Sequence, residues 1–253
     1  MLSKFITALL TLSLGCLATP HDDHVPQFRP LAQNPYKKIG EIPGLAGFMR
    51  VPAPQASFSQ WLRDINLKKD RTVYKYDGTV KNNQSAQFAV LDISVGSKDL
   101  QQCADAVMRL RAEYLFSQKH FSKISFIDND GQNYQFTQPY THEHLINYLQ
   151  VVFGMCGSAS LDKQLSQRVP IDEVASGDVL IRGGFPGHAV IVVDVAVNAQ
   201  GKKIYMLAQS YMPAQDIHIL KNPVNGSAWY FVNDEELITT PEYVFRCTEL
   251  RRF

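Results

Sequence analysis

Three residues in the second half of the chain carry the side chains that thiol-dependent amide hydrolysis requires. Cys156 follows an apolar segment, His188 follows a glycine-rich loop, and Gln209 ends a later apolar stretch. A nucleophilic cysteine needs a base to take its proton and a polar group to orient that base. We therefore predict Cys156 as the nucleophile, His188 as the base and Gln209 as the residue that orients the imidazole.

The sequence around Cys156 predicts a boundary between two helices. Thr141 caps a predicted helix whose apolar face ends at Cys156, and residues 157–161 can begin another helix. A helix N-terminus stabilises a thiolate through its dipole and its free N–H groups. The alternative is a buried, inert thiol, because Cys156 also continues the apolar face of the preceding helix.

His188 directly precedes the apolar residues 189–193, which predict a buried strand with the imidazole at its N-terminal end. Three glycines in the preceding loop favour a site at this position. The alternative is a histidine that only satisfies the hydrogen bonds of the loop.

Three polar residues near the same end of the predicted sheet are candidates for contacting a substrate. They are Arg182, Tyr211 and Gln215. Arg182 follows the strand predicted at 179–181, and the other two follow Gln209. An ordinary polar rim is the alternative interpretation.

Metal-ligand residues occur, but without the spacing of a metal site. Asp216 and His218 share one face of a predicted strand and could join His188, yet no His-x-x-x-His or Cys-x-x-Cys pattern accompanies them. Residues 21–24 read His-Asp-Asp-His, but they belong to a predicted linker without a rigid scaffold. We predict neither a metal nor another cofactor.

Helices in the first half of the chain and strands in the second predict an α+β domain with an antiparallel sheet. The clearest helix is capped by Asp99 or Ser97 and places Cys103 on its buried face, where cysteine behaves as a small hydrophobe. Consecutive strands are predicted at 179–181, 188–196, 204–209 and 216–220.

The N-terminus has the plan of a secretory signal, with Lys4, an uncharged apolar run and then small residues. Two processing routes are open. Cys16 can be the lipidated first residue of a bacterial lipoprotein, or cleavage can follow Ala18. We predict a signal peptide over 1–18, a linker over 19–38 and one domain over 39–253, with its catalytic core at 141–220.

The net charge limits the kinds of binding partner, and the number of cysteines limits the number of disulfide bonds. The 25 basic and 24 acidic residues leave a net charge of +1, so we predict no nucleic-acid binding. Apart from Cys16, three cysteines remain, namely Cys103, Cys156 and Cys247. At most one pair can form among them, which leaves at least one free thiol.

Two paired motifs are similar to those of the NlpC and CHAP-type cell-wall peptidases and amidases. Gly177 and Asp178 open one predicted strand, and Gly187 and His188 open the next. The resemblance implies a papain-like fold, with N-terminal helices packed on an antiparallel sheet and a cysteine upstream of the histidine. The chain departs from these families in that Gly157 follows Cys156 where a Ser-Gly pair is usual.

Longer segments resemble an uncharacterised bacterial envelope family, domain of unknown function 4846. The similarity lies in residues 181–188, in residues 208–218 and in the closing Thr240-Pro241-Glu242. This family implies no established activity. Taken together, the sequence favours a periplasmic, envelope-associated thiol hydrolase that cuts amides in peptidoglycan or a related peptide. The alternative is a non-catalytic periplasmic lipoprotein that binds a glycan or peptide in the same cleft.

Overall fold

Four α-helices and thirteen β-strands form the regular structure of residues 32–253, the part of the chain that this computed structural model describes. The helices are α1 (Phe58–Arg63), α2 (Cys103–Ser117), α3 (His142–Met155) and α4 (Ser158–Gln164). The strands are β1 (Phe48–Arg50), β2 (Gln87–Val90), β3 (Ser125–Ile127), β4 (Asn133–Gln135), β5 (Gln167–Arg168), β6 (Val179–Arg182), β7 (His188–Asn198), β8 (Lys203–Gln209), β9 (His218–Leu220), β10 (Trp229–Phe231), β11 (Leu237–Thr239), β12 (Val244–Arg246) and β13 (Leu250–Arg252). The predicted signal peptide, including Cys16, lies outside the described residues.

Nine of the strands form one antiparallel sheet, which confirms the predicted α+β class. Its order is β2-β9-β8-β7-β6-β13-β5, while β1 also pairs with β7 and β10 with β8. The remaining strands form two hairpins, β3–β4 and β11–β12. The strands predicted at 179–181, 188–196 and 204–209 are confirmed as β6, β7 and β8.

Strand β7 separates two hydrophobic cores because successive side chains of a strand point to opposite faces. Ala189 and Ile191 belong to the core that contains the helices. Val190 and Val192 belong to a second core, which also contains Phe245. The ring of His188 lies 5.8 Å from the ring of Phe245, so this histidine faces the second core.

Helix α2 begins at Cys103, later than the sequence predicted. Gln102 is its N-cap, and the Gln102 N–H donates to Asp105 Oδ2 in a capping box. Asp99, one of the two predicted caps, instead accepts the backbone N–H of Ala214 at 2.6 Å. The predicted cap was wrong because this tertiary contact occupies the Asp99 carboxylate. Cys103 therefore occupies the first helical position.

Segments from both ends of the described chain are attached to the rest of the structure. Strand β13 pairs with β6 on one side and with β5 on the other. Residues 34–38, assigned to the linker from the sequence, are also attached, since the Asn34 N–H donates to the Lys69 carbonyl and Lys38 bridges to Asn66. In residues 32–253, no helix is both long and apolar enough to cross a membrane.

Candidate functional site

The structure brings His188 and Gln209 into direct contact. His188 opens β7 and Gln209 ends the neighbouring strand β8. Their side chains are joined by a hydrogen bond of 2.9 Å between His188 Nε2 and Gln209 Oε1. Both residues are buried. The sequence predicted that these two residues meet, and the hydrogen bond joins them; their roles as base and orienting residue stay predictions.

Glu242 fixes which end of the Gln209 amide meets the imidazole. Gln209 Nε2 donates to Glu242 Oε2 at 2.8 Å, so Oε1 must be the atom that faces His188. An amide oxygen only accepts hydrogen bonds, and therefore His188 carries its proton on Nε2. The lone pair of the ring is then on Nδ1, where it can accept a proton.

A second histidine and an ion pair complete the polar network around Gln209. His218 Nδ1 donates to the Asp216 carbonyl at 2.9 Å, and its Nε2 lies 3.5 Å from Gln209 Nε2. Lys81 Nζ pairs with Glu242 Oε2 at 2.6 Å, with both side chains largely buried. Apart from His188 Nδ1, the polar side-chain groups of this network have hydrogen-bond partners, as a low-dielectric site requires.

Burial keeps both histidines neutral near neutral pH. It lowers the pKa of His188 to about 4, although the bond to Gln209 opposes the shift. It lowers the pKa of His218 to about 3. The rings of Tyr211 and Tyr243 lie 5.0 and 4.9 Å from the His188 ring and shield it from solvent. A neutral imidazole is the form that a general base must have.

Cys156 lies at a boundary between two helices, as predicted, since Gly157 after it is the N-cap of α4, but its own place is the end of α3. It is the C-cap of that helix, and the partial negative charge of a helix C-terminus opposes an anion. Burial, reinforced by the carboxylate of Asp128, raises the pKa of Cys156 to about 11. Within the described residues, no hydrogen bond joins Cys156 to His188. Its neighbour Ser158 does reach the glycine-rich loop, donating to the Gly184 carbonyl at 3.3 Å.

Cys103 lies beside the residue that follows His188. The backbone N–H of Ala189 faces the Cys103 sulfur and lowers the pKa of the thiol, although burial raises it more strongly. A further hydrogen bond, from Ser210 Oγ to the Gln101 carbonyl at 2.8 Å, ties the start of α2 to the end of β8. The first residue of a 15-residue helix is thus placed at the strand ends that carry the histidine and the glutamine.

The three predicted substrate contacts have different surroundings. Arg182 pairs with Glu249 through two bonds of 2.6 and 2.9 Å, so its charge is already compensated. Tyr211 is half-buried against His188. Gln215 is 2% exposed and therefore has almost no surface for a ligand. Of the three, Tyr211 best fits a substrate contact.

Cys103, Cys156 and Cys247 are all free thiols in the structure, so no disulfide joins them. The described residues also include no cluster of His, Cys, Asp and Glu that could hold a metal ion. The sequence did not single out Cys103 or Glu242 as functional residues. The Gln102–Asp105 capping pair is the signal that would have placed Cys103 at a helix N-terminus.

The fold and the network define an α+β protein that holds a buried histidine, glutamine and glutamate at one end of an antiparallel sheet. The chain belongs to the family described as domain of unknown function (4846), whose model matches residues 41–140 and 136–252. No curated protein and no solved structure matches the chain.

Proposed function

We propose that this protein is a thiol hydrolase that cleaves an amide bond, with Cys103 as the nucleophile, His188 as the base and Gln209 as the positioning residue. The observation that carries the proposal is that Cys103 opens α2, whose start is tied to the end of β8 by the Ser210–Gln101 hydrogen bond. It supports a sulfur at the N-terminus of a long helix, next to the start of β7. Cys103 packs in the helical core and the His188 ring faces the second core, so the proposed proton transfer passes around the end of β7. Cys156, our nucleophile from the sequence, lies at a helix C-terminus and lacks this support.

The proposed reaction has two stages, formation of a thioester and its hydrolysis. The Cys103 thiol gives its proton to His188 Nδ1, and the sulfur attacks the amide carbonyl. The carbon–nitrogen bond breaks, a thioester forms, and His188 returns the proton to the leaving amine. Water then gives a proton to His188 and attacks the thioester carbon. The carbon–sulfur bond breaks, the acid is released, and His188 returns the proton to the Cys103 sulfur. Gln209 holds the imidazole in the required tautomer throughout.

The substrate in this proposal is an amide of peptidoglycan or of a related envelope peptide. Two large apolar side chains stand on the loops at the site's end of the sheet, namely Phe185 at 93% exposure and Met212 at 56%. Apolar side chains of this kind suit contacts with a peptide or with the face of a sugar. The resemblance to NlpC and CHAP-type enzymes and the predicted signal peptide favour a papain-like enzyme of the envelope.

One observation favours a second function, non-catalytic binding of a glycan or peptide in the same cleft. Burial raises the pKa of Cys103 and lowers that of His188, so both groups are neutral in the free protein. A thiol without a thiolate population is a poor nucleophile. In an enzyme of this type, substrate binding would have to move the proton from the Cys103 thiol to His188.

The test is hydrolysis of purified peptidoglycan by the mature protein, followed by separation of the released fragments. We expect Cys103→Ala and His188→Ala to abolish release. Cys156→Ala is the matched control and should retain it. If Cys156→Ala abolishes release and Cys103→Ala does not, the nucleophile is Cys156. If the folded wild type releases nothing but binds the material, the second function holds.

A further inference from the structure

A cavity of about 200 Å³ lies beside the start of α2, enclosed by residues 94–101 and by α3. Its charged and titratable lining residues are Lys98, Arg109 and His142, and neither Asp nor Glu is among the lining residues. A cavity with this lining attracts an anion rather than a cation. The N-terminal end of α2, which adds positive potential, supports the same choice.

Gln101 is one of the lining residues of this cavity, and its side chain carries a buried donor without a partner. It is 1% exposed, and its Nε2 has no hydrogen-bond partner among the described residues. Its Oε1 accepts from Arg109 Nη1 at 3.2 Å, so the amide is held in one orientation. An unmade hydrogen bond on a buried amide is unfavourable, and a bound acceptor would satisfy it.

The positive charge of the cavity is only partly compensated. Arg109 Nε donates to Glu113 at 2.8 Å, and His142 Nε2 lies 2.9 Å from the same carboxylate, so Glu113 compensates these two lining residues. Lys98 Nζ bonds to the neutral side chain of Gln150 at 2.8 Å. The ammonium group of Lys98 is therefore available to pair with a ligand anion.

The rest of the lining is apolar and limits the kind of anion. The four apolar side chains are Val95, Leu100, Ile146 and Phe153. The cavity is smaller than the roughly 300–1,000 Å³ pockets that hold drug-sized ligands. A carboxylate with one short hydrocarbon side chain matches both the volume and the lining.

We propose that this cavity binds the C-terminal residue of a peptide, with its carboxylate between Lys98 and the Gln101 amide and its side chain against the apolar wall. Gln101 is two residues before Cys103 in the chain, so the bound terminus would lie near the proposed nucleophile. Use of this cavity as a substrate subsite rests on the proposed hydrolase function. Binding of the carboxylate does not depend on that function.

The test is a titration of the mature protein with N-acetylleucine and, separately, with N-acetylleucinamide, followed by calorimetry and amide NMR. We expect the acid to bind and to shift the Gln101 side-chain signal, and the amide to bind at least about tenfold more weakly. Gln101→Leu should weaken binding of the acid by about tenfold or more, since a hydrogen bond to a charged group is lost. Lys98→Ala should weaken it by about two- to fivefold.

Lys163→Ala is the matched control, because this exposed lysine lies on α4 outside the cavity and should leave affinity unchanged. Equal affinity for the acid and the amide, or no binding of either, would overturn the site, and so would wild-type affinity in Lys98→Ala. Cys103→Ala should bind the acid normally. Loss of hydrolysis in that variant therefore tests the nucleophile, whereas loss of affinity in Lys98→Ala tests the cavity.

Discussion

Gln209 donates to Glu242 across 33 positions of sequence, and this single bond determines the protonation of His188. With Nε2 of the amide committed to the carboxylate, only the amide oxygen can meet the imidazole. A residue that is distant in the chain thereby sets the tautomer of the proposed base. The same carboxylate neutralises the buried Lys81.

Replacing Glu242 by glutamine should damage both stability and hydrolysis. The buried Lys81 charge would lose its ion partner, so we expect the free energy of unfolding in urea to fall by about 3 kcal/mol. The Gln209 amide would also become free to flip, so kcat for hydrolysis should fall with little change in KM. Urea unfolding and steady-state kinetics measure the two effects.

A double variant separates these two effects. Lys81→Met combined with Glu242→Leu removes the ion pair and leaves no buried charge, so most of the stability should return. Hydrolysis should remain impaired because nothing orients the Gln209 amide. Full recovery of kcat in the double variant would show that Glu242 acts only on stability.

Thiol labelling should distinguish Cys156 from an activated cysteine. Its pKa of about 11 stands roughly two units above the ordinary thiol value of 9.0, so its thiolate population at pH 7.5 is about a hundredfold smaller. We expect iodoacetamide to label Cys156 in the folded protein far more slowly than in urea. Peptide mass spectrometry over time gives both rates. Comparable labelling rates in the folded protein and in urea would contradict a buried Cys156 thiol with a raised pKa.

The two buried histidines should make the protein less stable in mild acid. Their pKa values in the folded state, about 4 for His188 and about 3 for His218, lie below the ordinary value of 6.5. Below pH 6.5 the unfolded chain takes up protons that the folded chain does not, so stability falls as the pH falls. At pH 5 each histidine should cost about 2 kcal/mol relative to pH 8.

The His218→Gln variant isolates this effect from other titrating groups. Asp105, whose pKa burial raises, changes stability in the opposite direction over part of this range, but it is present in both proteins. The loss of unfolding free energy between pH 8 and pH 5 should be about 2 kcal/mol smaller in His218→Gln than in the wild type. Equal losses would mean that His218 does not stay neutral in the folded state.

Processing of the N-terminus remains a prediction from the sequence. If Cys16 is lipidated, the wild type should fractionate with membranes and resist a salt wash, because a lipoprotein carries more than one acyl chain. Cys16→Ser should not be lipidated. A soluble wild type whose N-terminus is Thr19 would show that cleavage follows Ala18. Fractionation and N-terminal mass spectrometry give the answer.

Local sequence patterns were sufficient for much of the fold. Thr141 caps α3 as predicted, accepting the His144 N–H at 3.2 Å, because a cap depends on residues three positions away. The apolar runs after Asp178 and His188 form the buried strands β6 and β7. The contact between His188 and Gln209 follows from their places at the adjoining ends of consecutive antiparallel strands.

The rest of the site depends on contacts that periodicity does not encode. Leu100 continues the apolar spacing of α2 backwards, so the pattern concealed the true helix start at Cys103. The approach of Cys103 to Ala189 joins segments 86 positions apart, and Glu242 comes from beyond the central strands. Tertiary packing alone brings these residues together, whereas Cys156 was chosen from the sequence because it lies at a predicted boundary between two helices.

The position of β13 gives the molecule an order of assembly during synthesis. This strand lies between β6 and β5 and pairs with both. Glu242 precedes it by only a few residues. A chain still emerging from the ribosome therefore has Cys103 and His188 long before it has the carboxylate that orients Gln209. We expect the imidazole to be oriented only after Glu242 has been added, so a chain that ends before this residue should lack the oriented His188 tautomer.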